Sequence, residues 1–222
     1  MTGLHDTATD MLAARDLIAR RGGRPVFAGL SFSLSSGGAL RLAGRNGGGK
    51  TTLLRILAGL GRAEAGTVEW NGEPVADDCE AHAMRVGWLG HADALKVALT
   101  ARENLESALR VAGRPTDGVP AALQALGLTR LAELPAGWLS SGQRRRVALA
   151  RVLASGARLW LLDEPTVGLD TASVAALEGA IADHRSAGGM VIAATHTALD
   201  LGDGADSLDP AAHGGATAEA AA

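Results

Sequence analysis

Cysteine is all but missing. Cys79 stands alone among 222 residues, which excludes an internal disulfide framework and a cysteine-built metal site and fits a reducing compartment. Lysine is nearly as scarce: Lys50 and Lys96 stand beside 19 arginines, so any task that needs an ammonium group has two candidates. Long apolar runs are missing too. No window approaches the ~18–20 consecutive apolar residues of a membrane-spanning helix, and the longest charge-free stretch, Pro25 to Leu40, is interrupted by serines and glycines. The 47% hydrophobic content includes 45 alanines, so a mean hydropathy of +0.12 reflects small side chains and a soluble chain is expected. Charge of one sign is also lacking. A net charge of −3, a pI near 6.1 and scattered basic residues leave no electrostatic footprint for nucleic acid. The opening MTGLHDTATDMLAARD carries acidic residues and no apolar core, unlike a secretory signal.

What is present alternates between strand and helix patterns. Residues 25–34 and 39–43 read as short strands, the second running into a glycine-rich loop and then a helical stretch over 50–60. Asn71-Gly72 between two β-like runs predicts a hairpin over 66–75. Another strand is expected over 85–90. From 99 to about 154 the pattern turns helical, broken at Gly113-Arg114-Pro115 and Pro135-Ala136-Gly137, which suggests a helical lobe inserted into an α/β core. An apolar strand over 159–162, a helix over 171–187 stopped by Gly188-Gly189, and a strand over 190–195 complete the core. Such alternation argues a mostly parallel sheet covered on both faces. The stretch 204–222, rich in Ala, Gly and Asp, has few large apolar residues and is expected to be disordered.

The glycine-rich loop carries the first chemistry. Gly44-Arg45-Asn46-Gly47-Gly48-Gly49-Lys50-Thr51 fits the G-x-x-x-x-G-K-[ST] phosphate loop in its proper context, between a strand and a helix, with Thr52 following. Glycines let backbone N–H groups approach phosphates with no Cβ in the way, and the helix N-terminus adds partial positive charge. Lys50 supplies the full charge, and the Thr51 hydroxyl suits Mg²⁺, which prefers hard oxygen ligands. Further along, the apolar strand Leu159-Trp160-Leu161-Leu162 delivers Asp163 and Glu164 at its end. Asp163 would face the metal and Glu164 a water, as general base.

The stretch Leu139-Ser140-Ser141-Gly142-Gln143, followed by RRRVALARVLA, lies 23 residues ahead of Asp163, counted from Ser140. Here the sequence resembles the ATP-binding subunits of ABC transporters, with their LSGGQ-type signature. The resemblance implies an α/β, P-loop NTPase domain of ABC type over 1–203, with an antiparallel β portion and a helical lobe at about 92–154. It also implies ATP and Mg²⁺ as ligands and ATP hydrolysis coupled to transport. The signature would clamp ATP bound to the opposite copy in a head-to-tail homodimer. Asp170 in Gly168-Leu169-Asp170 matches the family's D-loop at that interface. His196 matches its switch histidine, and Leu99-Thr100-Ala101-Arg102-Glu103-Asn104-Leu105 resembles the segment that opens the helical lobe.

Two positions depart from the family pattern. His91 replaces the usual glutamine after the strand over 86–90, placing an imidazole near the catalytic water beside Glu164 and His196. The aromatic residue that stacks on adenine is replaced near Arg20 or Arg21, and arginine can stack through its planar guanidinium. Trp88-Leu89-Gly90-His91-Ala92, with Lys96 and Thr100 behind it, resembles the haem-exporter branch of bacterial cytochrome c maturation, as do Phe27 to Phe32 and Pro165 to Asp170. That resemblance implies separate integral-membrane haem-exporter subunits as partners, reached through a groove behind His91, and a peripheral place on the cytoplasmic face of the inner membrane. No residues here suggest a haem site. Another short ABC transporter, a non-transport ABC ATPase and a nucleotide-binding regulator without turnover remain the alternatives.

Overall fold

The structure is a computed structural model and describes residues 9–214. Its antiparallel sheet holds β1 (Met11–Arg21), β2 (Arg24–Ser35), β4 (Ala65–Trp70) and β5 (Glu73–Pro74) in the order β2-β1-β4-β5. The expected hairpin closes through Asn71 (φ 55°) and Gly72 (φ 85°), both in the left-handed region that a twist-matched two-residue turn requires. β1 escapes a reading by alternation for a physical reason. Asp16 takes φ 48°, and the registers with both neighbouring strands shift between Ala14 and Ile18, so the inside-outside pattern breaks at a bulge.

A second, parallel sheet runs β6 (Val86–Leu89), β7 (Leu159–Asp163), β8 (Met190–Ala194), β3 (Ala39–Leu42), β9 (Asp206–Leu208). All five residues of β7 and of β8 are buried, as strands covered on both faces must be. Successive side chains serve two cores. Leu159, Leu161, Met190 and Ile192 join Leu53, Leu54 and Leu57 of α1 (Lys50–Leu57) and the inner face of the antiparallel sheet. Trp160, Leu162, Val191 and Ala193 join the helices on the other side: α3 (Ala101–Val111), α4 (Val119–Ala125), α5 (Ser141–Ala154) and α6 (Thr171–Ser186). Each fully buried leucine contributes about 1.5–3 kcal/mol. No helix among the described residues is long and apolar enough to cross a membrane.

The helical excursion between β6 and β7 is fastened at both ends by polar side chains. Thr100 and Glu103 form a capping box at the start of α3. Asn104 accepts from the Lys96 N–H and donates to the carbonyls of Lys96, Leu99 and Thr100, pinning the approach. Arg114 donates to the carbonyls of Ala83, Met84, Val86 and Ser155. It thereby closes α2 (Cys79–Arg85) and ties the lobe to the parallel sheet.

Disorder from residue 204 onward does not hold across the described part of that segment. Asp206–Leu208 pairs with Leu40–Leu42, the Ala43 N–H donates to Leu208 O at 2.8 Å, and Pro210–His213 forms a 3-10 turn capped by Asp209. A census of apolar side chains misses order that rests on backbone hydrogen bonds to a sheet edge. Residues 215–222 lie outside the described residues.

His82 is 2% exposed, its Nε2–H donates to Leu57 O at 2.8 Å, and its Nδ1 has no partner among the described residues. Burial pushes its pKa down, against the hydrogen bond to Leu57 and aided by Arg85; burial also lowers that of His184. The unfolded chain therefore takes up protons that the fold refuses as pH falls through about 6.5, and stability must fall with it. Urea unfolding between pH 7.5 and pH 5.5 is expected to show this loss. His82→Gln, which can still donate to Leu57 O, should show a shallower one; equal slopes would remove His82 as the cause.

Candidate nucleotide site

β3 ends in the glycine loop, and α1 begins at its far side. Gly49 occupies the N-cap position of α1 at φ 95° with no side-chain cap, so the N-terminal N–H groups of this helix are not consumed by a side chain. A side chain at Gly49 would meet Val26 Cγ1 at 2.6 Å, which requires glycine on steric grounds as well. Asn46, Gly47, Gly48, Gly49, Lys50, Thr51 and Thr52 line an open cavity of about 560 Å³. Gly44 and Arg45 lie behind them, and their carbonyls accept from Lys50 Nζ at 2.6 and 3.2 Å.

The end of β7 supplies the opposite wall. Asp163 is 4% exposed and accepts from Thr51 Oγ1 at 2.9 Å, so one hydroxyl and one carboxylate oxygen converge at one point. Glu164 takes φ 48°, an unfavourable backbone for a residue with a side chain. It is held there by its N–H to Ala194 O at 2.8 Å and by its own carbonyl, which accepts from Arg145 at 2.8 Å. His196 follows β8, and its N–H donates to Glu164 Oε2 at 3.3 Å. Its Nε2 lies 3.2 Å from Lys50 Nζ and 3.3 Å from Glu164 Oε1. One ring nitrogen cannot accept from the ammonium and donate to the carboxylate at once, so the protonation of His196 decides which partner it serves. His91 also lines the cavity, as do Arg21 and Val26 at the wall formed by β1 and β2. Of the two arginines expected near the base, Arg21 reaches the cavity, while Arg20 pairs with Glu64 at 3.1 Å.

The signature residues lie elsewhere. Ser140 and Gln143 form a capping box at the start of α5: Ser140 N–H donates to Gln143 Oε1 at 2.8 Å, and Gln143 N–H to Ser140 Oγ at 3.2 Å. Ser140, Ser141, Gly142 and Gln143 line a surface cleft with Gly168, Leu169 and Asp170, and this cleft shares no lining residue with the phosphate-loop cavity. Leu139 is buried in the lobe core. A side chain at Gly142 would collide with the Gly168 carbonyl oxygen, so the helix start and the D-loop segment pack backbone to backbone. Asp170 caps α6, accepting from the Ser173 N–H at 2.8 Å. Hydrogen bonds from Ser173, side chain first and then backbone, hold its carboxyl below the usual carboxylate range.

A residue not singled out from the sequence joins these parts. Arg145, in the second turn of α5, is 4% exposed. It donates to Asp163 O at 2.6 Å, Glu164 O at 2.8 Å and Gly90 O at 2.9 Å, and pairs with Asp93 at 3.1 Å. Its signal was in the sequence: Arg145, Ala148, Leu149 and Val152 fall at i, i+3, i+4 and i+7, the buried stripe of α5.

A glycine loop that opens a helix, a paired hydroxyl and carboxylate, and a second helix N-terminus in a cleft of its own are the features of an ATP-binding subunit of the ABC type. The ABC transporter profile matches residues 27–167. The cytochrome c biogenesis ATP-binding export protein CcmA of Paramagnetospirillum magneticum is 52% identical over 193 residues, covering 85% of this chain and 89% of that protein. The protein of the same name from Rhodospirillum rubrum is 50% identical over 194 residues, covering 87% and 83%. Among solved structures, an ATP-binding subunit of an ABC transporter aligns with a TM-score of 0.76 at 25% identity over 84% of this chain and 79% of that one. The cbiO1 protein of Clostridium perfringens, part of the transporter complex cbiONQ, aligns at 0.71 and 25% over 84% and 78%. The chain belongs to the ABC transporter family, within the cytochrome c biogenesis ATP-binding export proteins.

Arg145→Ala is expected to lower unfolding free energy by about 3 kcal/mol, because several buried acceptors lose their donor together. Arg145→Lys should recover little of it, since an ammonium cannot span the fork. Urea denaturation of the three proteins measures both effects.

Proposed function

We propose that this subunit binds and hydrolyses MgATP as a head-to-tail homodimer and drives the haem-delivery step of c-type cytochrome biogenesis at the inner membrane. The observation that carries the ATPase reading is the convergence of Lys50, Thr51, Asp163, Glu164 and His196 on one cavity. In this reading the loop amides and Lys50 hold the β- and γ-phosphates. Thr51 and Asp163 fit Mg²⁺: their two hard oxygens leave the remaining positions to phosphate and water, as this ion prefers. Bound Mg²⁺ offsets phosphate charge. Glu164 orients and deprotonates the attacking water, His196 and His91 position it, and Lys50 stabilises the charge that develops on the transferred group. Arg21 and Val26 form the wall left for the base.

The separation of the two clefts supports the dimer. Within one copy, the Ser140–Gln143 cleft and the phosphate-loop cavity share no lining residue, so the signature would be left to meet nucleotide held by a second copy. Closure would follow ATP binding and opening would follow hydrolysis. The haem assignment rests on the CcmA relatives and on His91. For docking to membrane subunits, the segment behind His91 and the 3-10 turn Ala136–Trp138 each expose an apolar side chain. Val97 is 65% exposed and Trp138 79%, brought together by the Gly137 N–H donating to Val97 O at 2.9 Å.

Lys50→Ala should lose nucleotide binding, while Glu164→Gln should bind ATP and elute as a dimer in saturating MgATP, a shift that Ser140→Arg blocks. Monomeric elution of Glu164→Gln would refute head-to-tail closure; unchanged ATPase in the same variant would refute Glu164 as the base. In the native host, haem staining of c-type cytochromes should vanish when Lys50→Ala replaces the unaltered protein at equal expression. Normal bands would leave the ATPase and discard the haem role.

A further inference from the structure

The segment behind β9 packs against the phosphate loop without entering the cavity. β9 lies beside β3 for three residues, which delivers the following turn to the point where the loop begins. There Asp209 Oδ1 accepts from the Ala211 N–H at 2.9 Å, and Asp209 O accepts from the Ala212 N–H at 3.1 Å. Pro210 is buried beneath them. The turn abuts the loop at Gly44 and comes near it at Gly48. A Cβ at Gly44 would fall 2.6 Å from Asp209 Cγ, so the carboxylate lies against the Gly44 main chain; a Cβ at Gly48 would fall 3.5 Å from that of Ala211. Gly44 sits at φ 99° and has no side chain of its own to hold its peptide. Yet its carbonyl makes the shorter of the two backbone contacts to the Lys50 ammonium, 2.6 Å.

We infer that Asp209 is a positioning residue for the phosphate loop: by capping the turn Pro210–His213 it wedges that turn against Gly44 and Gly48 and keeps the loop in its nucleotide-ready shape. No residue of Asp206–His213 lines the cavity, so the effect passes through the loop and not through contact with ligand. The inference rests on the reading of this loop as the ATP site. A preorganised loop does not have to be ordered by its ligand, so loss of the brace weakens binding while the hydrolytic groups Glu164 and His196 stay in place. Losing a cap of this kind corresponds to a change of about fivefold.

The test uses the full chain and a non-hydrolysable ATP analogue with Mg²⁺. Asp209→Ala and Asp209→Val remove the acceptor; Asp209→Asn and Asp209→Thr keep one, and valine and threonine match in shape. The first pair should bind the analogue about fivefold more weakly, raise KM for ATP with kcat changed less than twofold, and exchange the amides of residues 44–49 faster without nucleotide. The second pair should stay within about twofold of the unaltered protein on the same scale. Equal affinities across all four variants, or Asp209→Asn as weak as Asp209→Ala, would overturn the brace. So would an Ala211 amide that exchanges like free peptide in the unaltered protein, a result needing no variant to fold. Failure of the ATP-site reading looks different: the unaltered protein and Lys50→Ala would bind the analogue equally, whatever stands at 209.

Discussion

A buried guanidinium with its donors forked between two parts of the fold is the constraint on which the site depends. Arg145 belongs to α5, whose N-terminus carries the signature, yet it donates to the carbonyls of Asp163 and Glu164 at the end of β7 and of Gly90 at the end of β6. A charge so buried is tolerated when its terminal nitrogens find acceptors, as here, although Nε has none among the described residues. The arrangement therefore fixes the start of α5 relative to the carboxylates of Asp163 and Glu164. Asp93 completes the charge balance from the loop behind His91. One side chain thus touches both that loop and the peptide of Glu164.

The strained backbone is placed where the same logic predicts it. Glu164 at φ 48° would relax if its peptide turned, and two hydrogen bonds from different elements prevent that: its N–H to Ala194 O and its carbonyl from Arg145. Strain of this kind costs about 1–3 kcal/mol and persists only where surroundings over-determine it. What the fold gains is a carboxylate turned off the strand axis toward His196 and the cavity, where a regular strand residue would point into one of the two cores.

Much of this was legible from one-dimensional pattern, and the exceptions share a cause. The phosphate loop, the Asp163-Glu164 pair, the Asn71-Gly72 hairpin and the alternating cores of β7 and β8 are all local: residue type and spacing within a few positions specify them. β1 was obscured because its bulge at Asp16 breaks the period that reveals a strand. β9 and the turn behind it were obscured because their order comes from backbone pairing with β3 and from one capping carboxylate, neither of which alters composition. Arg145 was visible as a charge on an apolar stripe, but its acceptors lie more than fifty residues upstream, at Gly90 and Asp93, and about twenty downstream, at Asp163 and Glu164. Sequence spacing alone does not bring these together.

The two helix N-termini that would share one nucleotide are not equivalent, and in a head-to-tail dimer the difference would give the cycle an order. α1 begins at a left-handed glycine with no side-chain cap, so its amides are unspent and a polyphosphate meets little competition there. α5 begins with Ser140 and Gln143 already bonded to each other's backbone. That cap uses the Gln143 N–H, so a phosphate arriving at that face finds one donor fewer than an uncapped start would offer. Under the head-to-tail reading, nucleotide settles first on the loop of one copy. The signature of the other copy would then add its contacts only at closure, together with the surface buried between the two copies. A clamp that is weak alone and sufficient in company is the property a subunit needs if closure is to report the presence of ATP and release is to follow its cleavage.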